Sequence, residues 1–169
     1  SAGDQGLWLN VLEKAFGELR MAGLQAKRSN ADLDLDVIGR GGGADQVITL
    51  LTSHKADHLK LQPKAGAEHS RQQLAELHAE VKKILELATE KKFLVCVGTG
   101  GRKYPPGIFS DHDYAVLGYD AANETVHVWN PWGRTYNFTP KGGPHGLEHG
   151  YPVVQGSFQI PLADFVKIF

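Results

Sequence analysis

The sequence predicts an α+β protein in which helices come first and an antiparallel sheet follows. Apolar residues recur at helical spacing over residues 7–90, whereas short segments rich in β-branched and aromatic residues, separated by turn residues, occupy 93–160. Helices followed by antiparallel strands are typical of α+β architecture. With 169 residues, 41% of them apolar, the chain can bury one core, and we expect a single domain over 1–169.

Three apolar stripes define the helical part. They comprise Trp8, Val11, Leu12, Ala15 and Leu19; then Ala44, Val47, Ile48 and Leu51; then Leu74, Leu77, Val81, Ile84, Leu85 and Ala88. Ser70 and Gln73 have the spacing of a capping box, which predicts the start of the third helix. The intervening residues 53–67 contain Pro63 and Gly66 among several charges, so we expect an exposed connection.

The strands begin with residues 93–97, where five apolar residues follow the last helical charges. Two more, 114–119 and 125–130, flank a turn at 120–123 and therefore predict an antiparallel hairpin. A Gly- and Pro-rich loop over 133–152 leads to a last strand at 157–160. A short helix at 162–168 completes the predicted order.

The hairpin places His112 near Asn130, because one precedes its first strand and the other ends its second. With a turn centred near residue 121 or 122, the two are cross-strand or diagonal neighbours on one face of the sheet. An Asn amide oxygen can accept from one imidazole N–H and so fix the ring, leaving the other nitrogen as acid or base. Trp132, two residues later, can shield this pair from water.

Composition excludes several classes of function. The formal net charge is −1, so no overall basic field attracts nucleic acid or an anionic membrane. No apolar run approaches the ~20 residues that span a bilayer, and the N-terminus lacks a signal-peptide pattern, so we expect no membrane partner. The single cysteine, Cys96, excludes an internal disulfide. The cellular compartment is not determined by the sequence.

The run from Asp111 to Tyr119, followed by Asn-Pro-Trp-Gly at 130–133, resembles the His and Asn segments of papain-like cysteine proteases. The tetrapeptide points within that group to calpains. The segments 7–16, 93–96 and 156–165 are similar, in order, to the remaining parts of the second catalytic subdomain of calpains, so the resemblance covers essentially the whole chain.

The resemblance implies a papain-like cysteine proteinase fold with half of an antiparallel sheet or barrel, and peptide-bond hydrolysis by a Cys-His-Asn triad. His112 would be the catalytic base and acid, Asn130 would orient it, and Trp132 would shield the pair. A preceding helical subdomain would supply the cysteine and the oxyanion-hole glutamine. We therefore expect that subdomain and a protein or peptide substrate as partners, and no activity from this chain alone.

The sequence departs from the family pattern at three places. Cys96 lies in an apolar strand rather than at a helix N-terminus, so we interpret it as a small buried hydrophobe and not as the nucleophile. Asp111 stands where the family usually has Gly, and Asp113 follows; both would favour a charged imidazole if they face it. The family implies calcium binding after residue 133, but residues 134–155 offer only Glu148, and we expect no cofactor or metal.

Two other interpretations stay open. One is a non-catalytic module that keeps the calpain scaffold for protein interaction, and the other is acyl transfer on the same scaffold. His145 and His149 have a zinc-ligand spacing if helical, but Pro144 and the flanking glycines argue for a loop.

Overall fold

The structure, a computed structural model, describes residues 11–12, 14–18, 42–63 and 67–169. The chain divides into two compact units, Ser1–Gln46 and Val47–Phe169. Residues 11–12 and 14–18 are helical, as the first apolar stripe predicts. The remaining predictions for Leu7, Trp8, Leu19 and most of the glycine-rich segment 39–43 lie outside the described residues.

Two helices whose bounds lie within the described residues precede the sheet. Helix α1 spans Ala44–Thr52, at the second apolar stripe. Helix α2 spans Arg71–Lys91, and the predicted capping box is present: the Ser70 hydroxyl accepts from Gln73 N, and the Gln73 side chain accepts from Ser70 N. α2 ends where Lys92 adopts a left-handed conformation with φ 56°. Among the described residues, no helix combines the length and the apolar composition that crossing a membrane requires.

Four strands form one antiparallel sheet in the order β1-β2-β3-β4. The strands are β1 Val95–Gly98, β2 Asp113–Asp120, β3 Thr125–Trp129 and β4 Ser157–Pro161, and helix α3 follows at Leu162–Ile168. The predicted α+β class with an antiparallel sheet and flanking helices is therefore confirmed. The sheet is open, with β1 and β4 at its edges, and does not close into a barrel.

One face of the sheet carries the core of the Val47–Phe169 unit. The buried residues on this face and on the two helices packed against it include Tyr114, Val126, Val128, Phe158 and Ile160 of the strands, Val81 and Leu85 of α2, and Leu162, Phe165 and Ile168 of α3. β3 and β4 contribute every second residue, which is the period of a sheet with one buried face.

The sequence suggested that the connection 53–67 is exposed, but part of it is buried. Leu61 is buried in the core cluster, and Gln62 Nε2 donates to Ile168 O at 3.0 Å. His69 Nε2 lies 2.7 Å from Leu61 O. One apolar residue without periodic neighbours was too weak a signal to predict that this segment packs against α3.

Strand β2 contains one more residue than β3 over their paired length. Val116 pairs with Val128, but Gly118 pairs with His127, so Leu117 is the extra residue of a β-bulge. The bulge changes which residues share a face. Tyr119 on the turn side and Val116 and Tyr114 beyond the bulge all face the core.

Candidate active site

Asn130 begins a tight turn that the tetrapeptide 130–133 forms directly after β3. Gly133 N donates to Asn130 O at 2.9 Å, Trp132 has φ −67° and ψ −12°, and Gly133 has φ +57°. Asn at the first position of a type I turn, Pro at the second and Gly at the fourth are the residues that this turn favours. Asn130 N also donates to Gly156 O at 2.8 Å, which ties the turn to the residue before β4.

Gly156 allows this close approach. Its φ is +81°, and a Cβ atom there would lie 2.8 Å from Asn130 O and 3.0 Å from two atoms of Gly133. Only glycine combines that backbone conformation with that space. The turn that carries Asn130 therefore depends on a residue 26 positions later in the chain.

The side-chain oxygen of Asn130 accepts two hydrogen bonds. Trp132 N lies 3.0 Å from Asn130 Oδ1, and His112 Nε2 lies 3.0 Å from the same oxygen. The backbone N–H of Trp132 can only donate, so the Asn130 atom that it meets is the amide oxygen and not the nitrogen. The same oxygen can only accept, so His112 carries its proton on Nε2 in the neutral ring.

Nδ1 of His112 consequently keeps its lone pair. Within the described part of the chain no group hydrogen-bonds to Nδ1. Asn130 is 0% exposed, so its bond to the imidazole is sheltered from competing water. The pair is thus a histidine fixed in one tautomer with a basic nitrogen available, which is the arrangement that general-base chemistry needs.

The main chain of His112 is held from the end of β1. Thr99 N donates to His112 O at 2.9 Å, and His112 N donates to Thr99 Oγ1 at 3.0 Å. The Thr99 hydroxyl in turn donates to Phe109 O at 2.6 Å, with His112 O at 3.0 Å. Phe109 N donates to Tyr114 Oη at 2.9 Å, so both backbone groups of Phe109 are satisfied by hydroxyls.

Aromatic rings surround the imidazole. Ring centroids lie 4.9 Å from His112 for Trp132, 4.8 Å for Tyr114 and 6.0 Å for Phe109. Phe109 and Trp132 also contact each other at 4.4 Å. The prediction that Trp132 lies against the pair is confirmed, but its side chain is itself 49% exposed, so it covers the pair from one side while remaining open to solvent.

The register explains why the side chains of His112 and Asn130 meet. Past the bulge, Val116 pairs with Val128, so continuing the pairing places Asn130 opposite Tyr114 and diagonal to His112. The prediction that His112 and Asn130 are neighbours is confirmed, and of the two predicted arrangements, directly opposite or diagonal, the structure has the diagonal one. The prediction of a turn centred on residue 121 is wrong, because the pairing beyond the bulge is centred on residue 122.

The two aspartates that flank His112 lie away from its ring. Asp111 has φ 49° and places its carboxylate beside Gly101, and Asp113 lies on the opposite face of the sheet beside Gly98. The expectation that they act on the imidazole if they face it therefore does not apply in this geometry.

Cys96 is exposed, and its interpretation as a buried hydrophobe is wrong. It lies on the sheet face that is not packed against α2 and α3, because β1 is an edge strand with only alternate residues turned to the core. Partial burial by its neighbours raises the pKa of the thiol, and the Asp113 carboxylate raises it further. The thiol lies on the face of the sheet opposite the His112 ring, so the two side chains do not meet.

The residues after the turn do not form a metal site. Among the residues that the structure describes, no group of three His, Cys, Asp or Glu side chains is arranged to hold a metal ion. His145 and His149 lie in a loop, with Gly146 bridged to Gly150, and not on a helix. Glu148 is the single carboxylate in 134–155, and one carboxylate does not fit Ca²⁺, which takes six to eight oxygen ligands.

A second histidine also meets a polar side chain. His127 Nε2 lies 2.5 Å from Ser157 Oγ across β3 and β4. This pair is on the outer face of the sheet, whereas His112 and Asn130 continue the inner face. It has the contact between a hydroxyl and an imidazole that nucleophilic catalysis uses, but the described residues supply no third group on the other imidazole nitrogen.

Sequence reasoning missed Thr99, Phe109 and Gly156. The signal for Thr99 was a single hydroxyl residue between glycines, directly after a strand. Nothing local in the sequence relates Gly156 to Asn130, because their contact is made only when β3 and β4 pair.

No protein-family model matches the chain, and neither a curated protein nor a solved structure matches it significantly.

Proposed function

We propose that this chain is the half of a calpain-like cysteine endopeptidase that contributes the histidine and the asparagine, on one side of a papain-like active site. The observation that carries the proposal is the hydrogen bond from His112 Nε2 to the oxygen of Asn130, an oxygen that the backbone of Trp132 also holds in place. It supplies an oriented base, and the segments from Asp111 to Tyr119 and from Asn130 to Gly133 resemble those of calpains.

In the proposed reaction, Nδ1 of His112 takes the proton of a thiol, which leaves a thiolate and an imidazolium. The thiolate attacks the peptide carbonyl carbon, and Nδ1–H then protonates the departing amine as the C–N bond breaks. Water hydrolyses the thioester with Nδ1 accepting its proton, which releases the acid and restores the thiol. Asn130 Oδ1 holds Nε2–H throughout, so the ring does not turn as its charge changes.

The thiol of this reaction is not Cys96, which lies on the other face of the sheet. We propose that a further, Cys-bearing subdomain supplies it together with oxyanion donors, and that it docks against the exposed aromatic side of the site, where Trp132 lies over the imidazole. The substrate is a protein or peptide. Because Cys96 is the single cysteine of the 169 residues, we expect no thiol-protease activity from this chain alone.

The test is a peptidase assay on the full-length protein that contains this chain, with casein and short fluorogenic peptides as substrates. We expect thiol-dependent hydrolysis that falls by about 100-fold to 10,000-fold on His112→Ala, the range for loss of a general base. His54→Ala is the matched control, since His54 is exposed after α1, and it should leave the activity unchanged.

Two results would contradict the proposal. Activity that survives His112→Ala would show that this histidine is not the base. Thiol-dependent peptidase activity of the isolated chain that survives Cys96→Ala would show that the nucleophile does not come from a further subdomain. A folded full-length protein without hydrolase activity would favour the interaction module, and one that transfers acyl groups to amines or alcohols would favour acyl transfer.

A further inference from the structure

Thr99 joins two segments that the candidate site requires. It directly follows β1, and its hydroxyl is positioned between the backbone of Phe109 and the backbone of His112. The residue is buried, and its one hydroxyl proton is donated to Phe109 O at 2.6 Å while its oxygen accepts from His112 N at 3.0 Å. A buried hydroxyl that is fully used in this way is a fixed link between the two segments.

The bonds from Thr99 enclose the segment 109–112, whose main chain determines the orientation of the His112 imidazole. Residues 109–112 leave the Gly- and Pro-rich loop and enter β2, and Asp111 within them adopts a left-handed conformation with φ 49°. That conformation is uncommon for residues other than glycine, although Asp tolerates it better than most, and contacts on either side help to hold it. Asp111 N reaches Gly100 O at 3.3 Å, and Thr99 provides the shorter bonds on either side of it.

Phe109 transmits the same restraint to the other side of the ring. Its carbonyl is held by Thr99, and its side chain lies 4.4 Å from Trp132 and 6.0 Å from His112 between centroids. A shift of Phe109 would therefore move Trp132 relative to the imidazole, and a shift of His112 N would change its approach to Asn130.

We propose that Thr99 is a positioning residue, whose side-chain hydroxyl fixes the main chain of residues 109–112 and so sets the angle at which His112 meets Asn130. Its relevance to catalysis rests on the proposed function, but its effect on the imidazole does not. Thr99 contacts neither substrate nor the reacting nitrogen.

The first test measures the imidazole in the chain itself. Proton NMR gives the rate at which the Nε2–H of His112 exchanges with water, with the amide N–H of Val126 in the core as the reporter of global opening. We expect Thr99→Val to raise the exchange rate of Nε2–H by about tenfold or more, the effect of losing hydrogen bonds of ordinary strength, while the Val126 rate stays unchanged.

Two further variants separate positioning from bulk stability. Thr99→Ser keeps the hydroxyl and should restore slow exchange. Thr89→Val removes a comparable hydroxyl, which donates to Leu85 O at 2.8 Å within α2, and should leave the His112 proton unaffected. The proposal is overturned if Thr99→Val changes the two exchange rates equally, or if Thr99→Ser behaves like the valine variant.

The second test applies to the full-length protein. There Thr99→Val should lower kcat by roughly tenfold to a hundredfold with little change in KM, as expected for a base misplaced by a fraction of an ångström, and Thr99→Ser should restore it. If the unaltered full-length protein has no peptidase activity, the proposed function fails while the exchange measurement still decides the role of Thr99. If the unaltered protein is active and kcat survives Thr99→Val, the positioning role fails alone.

Discussion

His112 and Asn130 lie on the same side of the sheet because β2 contains Leu117 as an extra residue. On the turn side of the bulge, Tyr119 pairs with Val126, and continuing that register without a bulge would leave Asn130 on the inner face but turn His112 to the outer face. The bulge shifts the register by one residue, so that Asn130 lies opposite Tyr114 and diagonal to His112. In this register His112 Nε2 lies 3.0 Å from Asn130 Oδ1. β-bulges next to active sites commonly redirect a side chain in this way.

Deleting Leu117 should be tolerated, because it removes the residue of β2 that has no partner in β3. Gly118 opposite His127 is then followed directly by Val116 opposite Val128, so Tyr114 and His112 keep their face of the sheet, and we expect the free energy of unfolding to change by no more than about 1 kcal/mol. Leu117→Ala is the control and should change it by no more than about 0.5 kcal/mol. Denaturant unfolding measures both. A deletion that lowers the free energy of unfolding by more than about 3 kcal/mol would contradict the assignment of Leu117 as the extra residue of the bulge.

Asn130→Ala removes the acceptor for two N–H groups at once. Because the site is buried, Trp132 N and His112 Nε2 are left without a partner, and we expect a loss of about 1–3 kcal/mol in the free energy of unfolding. Asn137 is a matched control, since its side-chain oxygen also accepts a backbone N–H, from Gln155 at 2.6 Å, but in an exposed position where water can replace it. Asn137→Ala should cost less than about 1 kcal/mol. Equal losses in the two variants would contradict the sheltered role of Asn130.

The Cys96 thiol should react slowly at neutral pH. Partial burial raises its pKa and Asp113 raises it further, so removing the Asp113 charge lowers the thiol pKa. We expect Asp113→Asn to increase the rate of alkylation by iodoacetamide at pH 7.5 by less than about tenfold, since tenfold corresponds to a full pKa unit. Asp120→Asn, at the other end of β2, should leave the rate unchanged. An unaltered rate in Asp113→Asn, or equal rates in the two variants, would contradict the assignment.

Tyr114 links the site to stability at high pH. Burial raises its pKa to about 12 from an ordinary value near 10. A raised folded-state pKa means that the stabilisation is fully present below about pH 10 and is lost as the pH rises through 12. The free energy of unfolding should therefore fall more steeply between pH 9.5 and 11.5 in the unaltered protein than in Tyr114→Phe. Parallel pH dependences in the two proteins would contradict this role.

Local patterns in the sequence predicted what local interactions decide. Ser70 and Gln73 identified the start of α2 because both capping bonds lie within one helical turn. Residues 162–168 likewise form α3. The spacing of His112 and Asn130 around a turn predicted their meeting, since an antiparallel hairpin fixes which residues can be neighbours.

The features that the sequence did not reveal depend on contacts between distant segments. The apolar run at 93–97 looked like a buried strand, but β1 is an edge strand, and Cys96 turns to its open face. No residue type at Val116 or Leu117 indicates a bulge, so the sequence did not reveal the one at Leu117. The bonds from Thr99 to Phe109 and His112 require β1 to pair with β2 before the three residues come together.

The central claim is that this chain by itself holds His112 as an oriented base, with its proton on Nε2 and its lone pair on Nδ1. Long-range proton–nitrogen NMR of the isolated chain at alkaline pH tests it directly, with the His112 signals assigned from a His112→Gln variant. We predict a slowly exchanging proton on Nε2 that disappears in Asn130→Ala. A proton on Nδ1, or an Nε2 proton that exchanges as fast as those of the exposed histidines, would contradict the account.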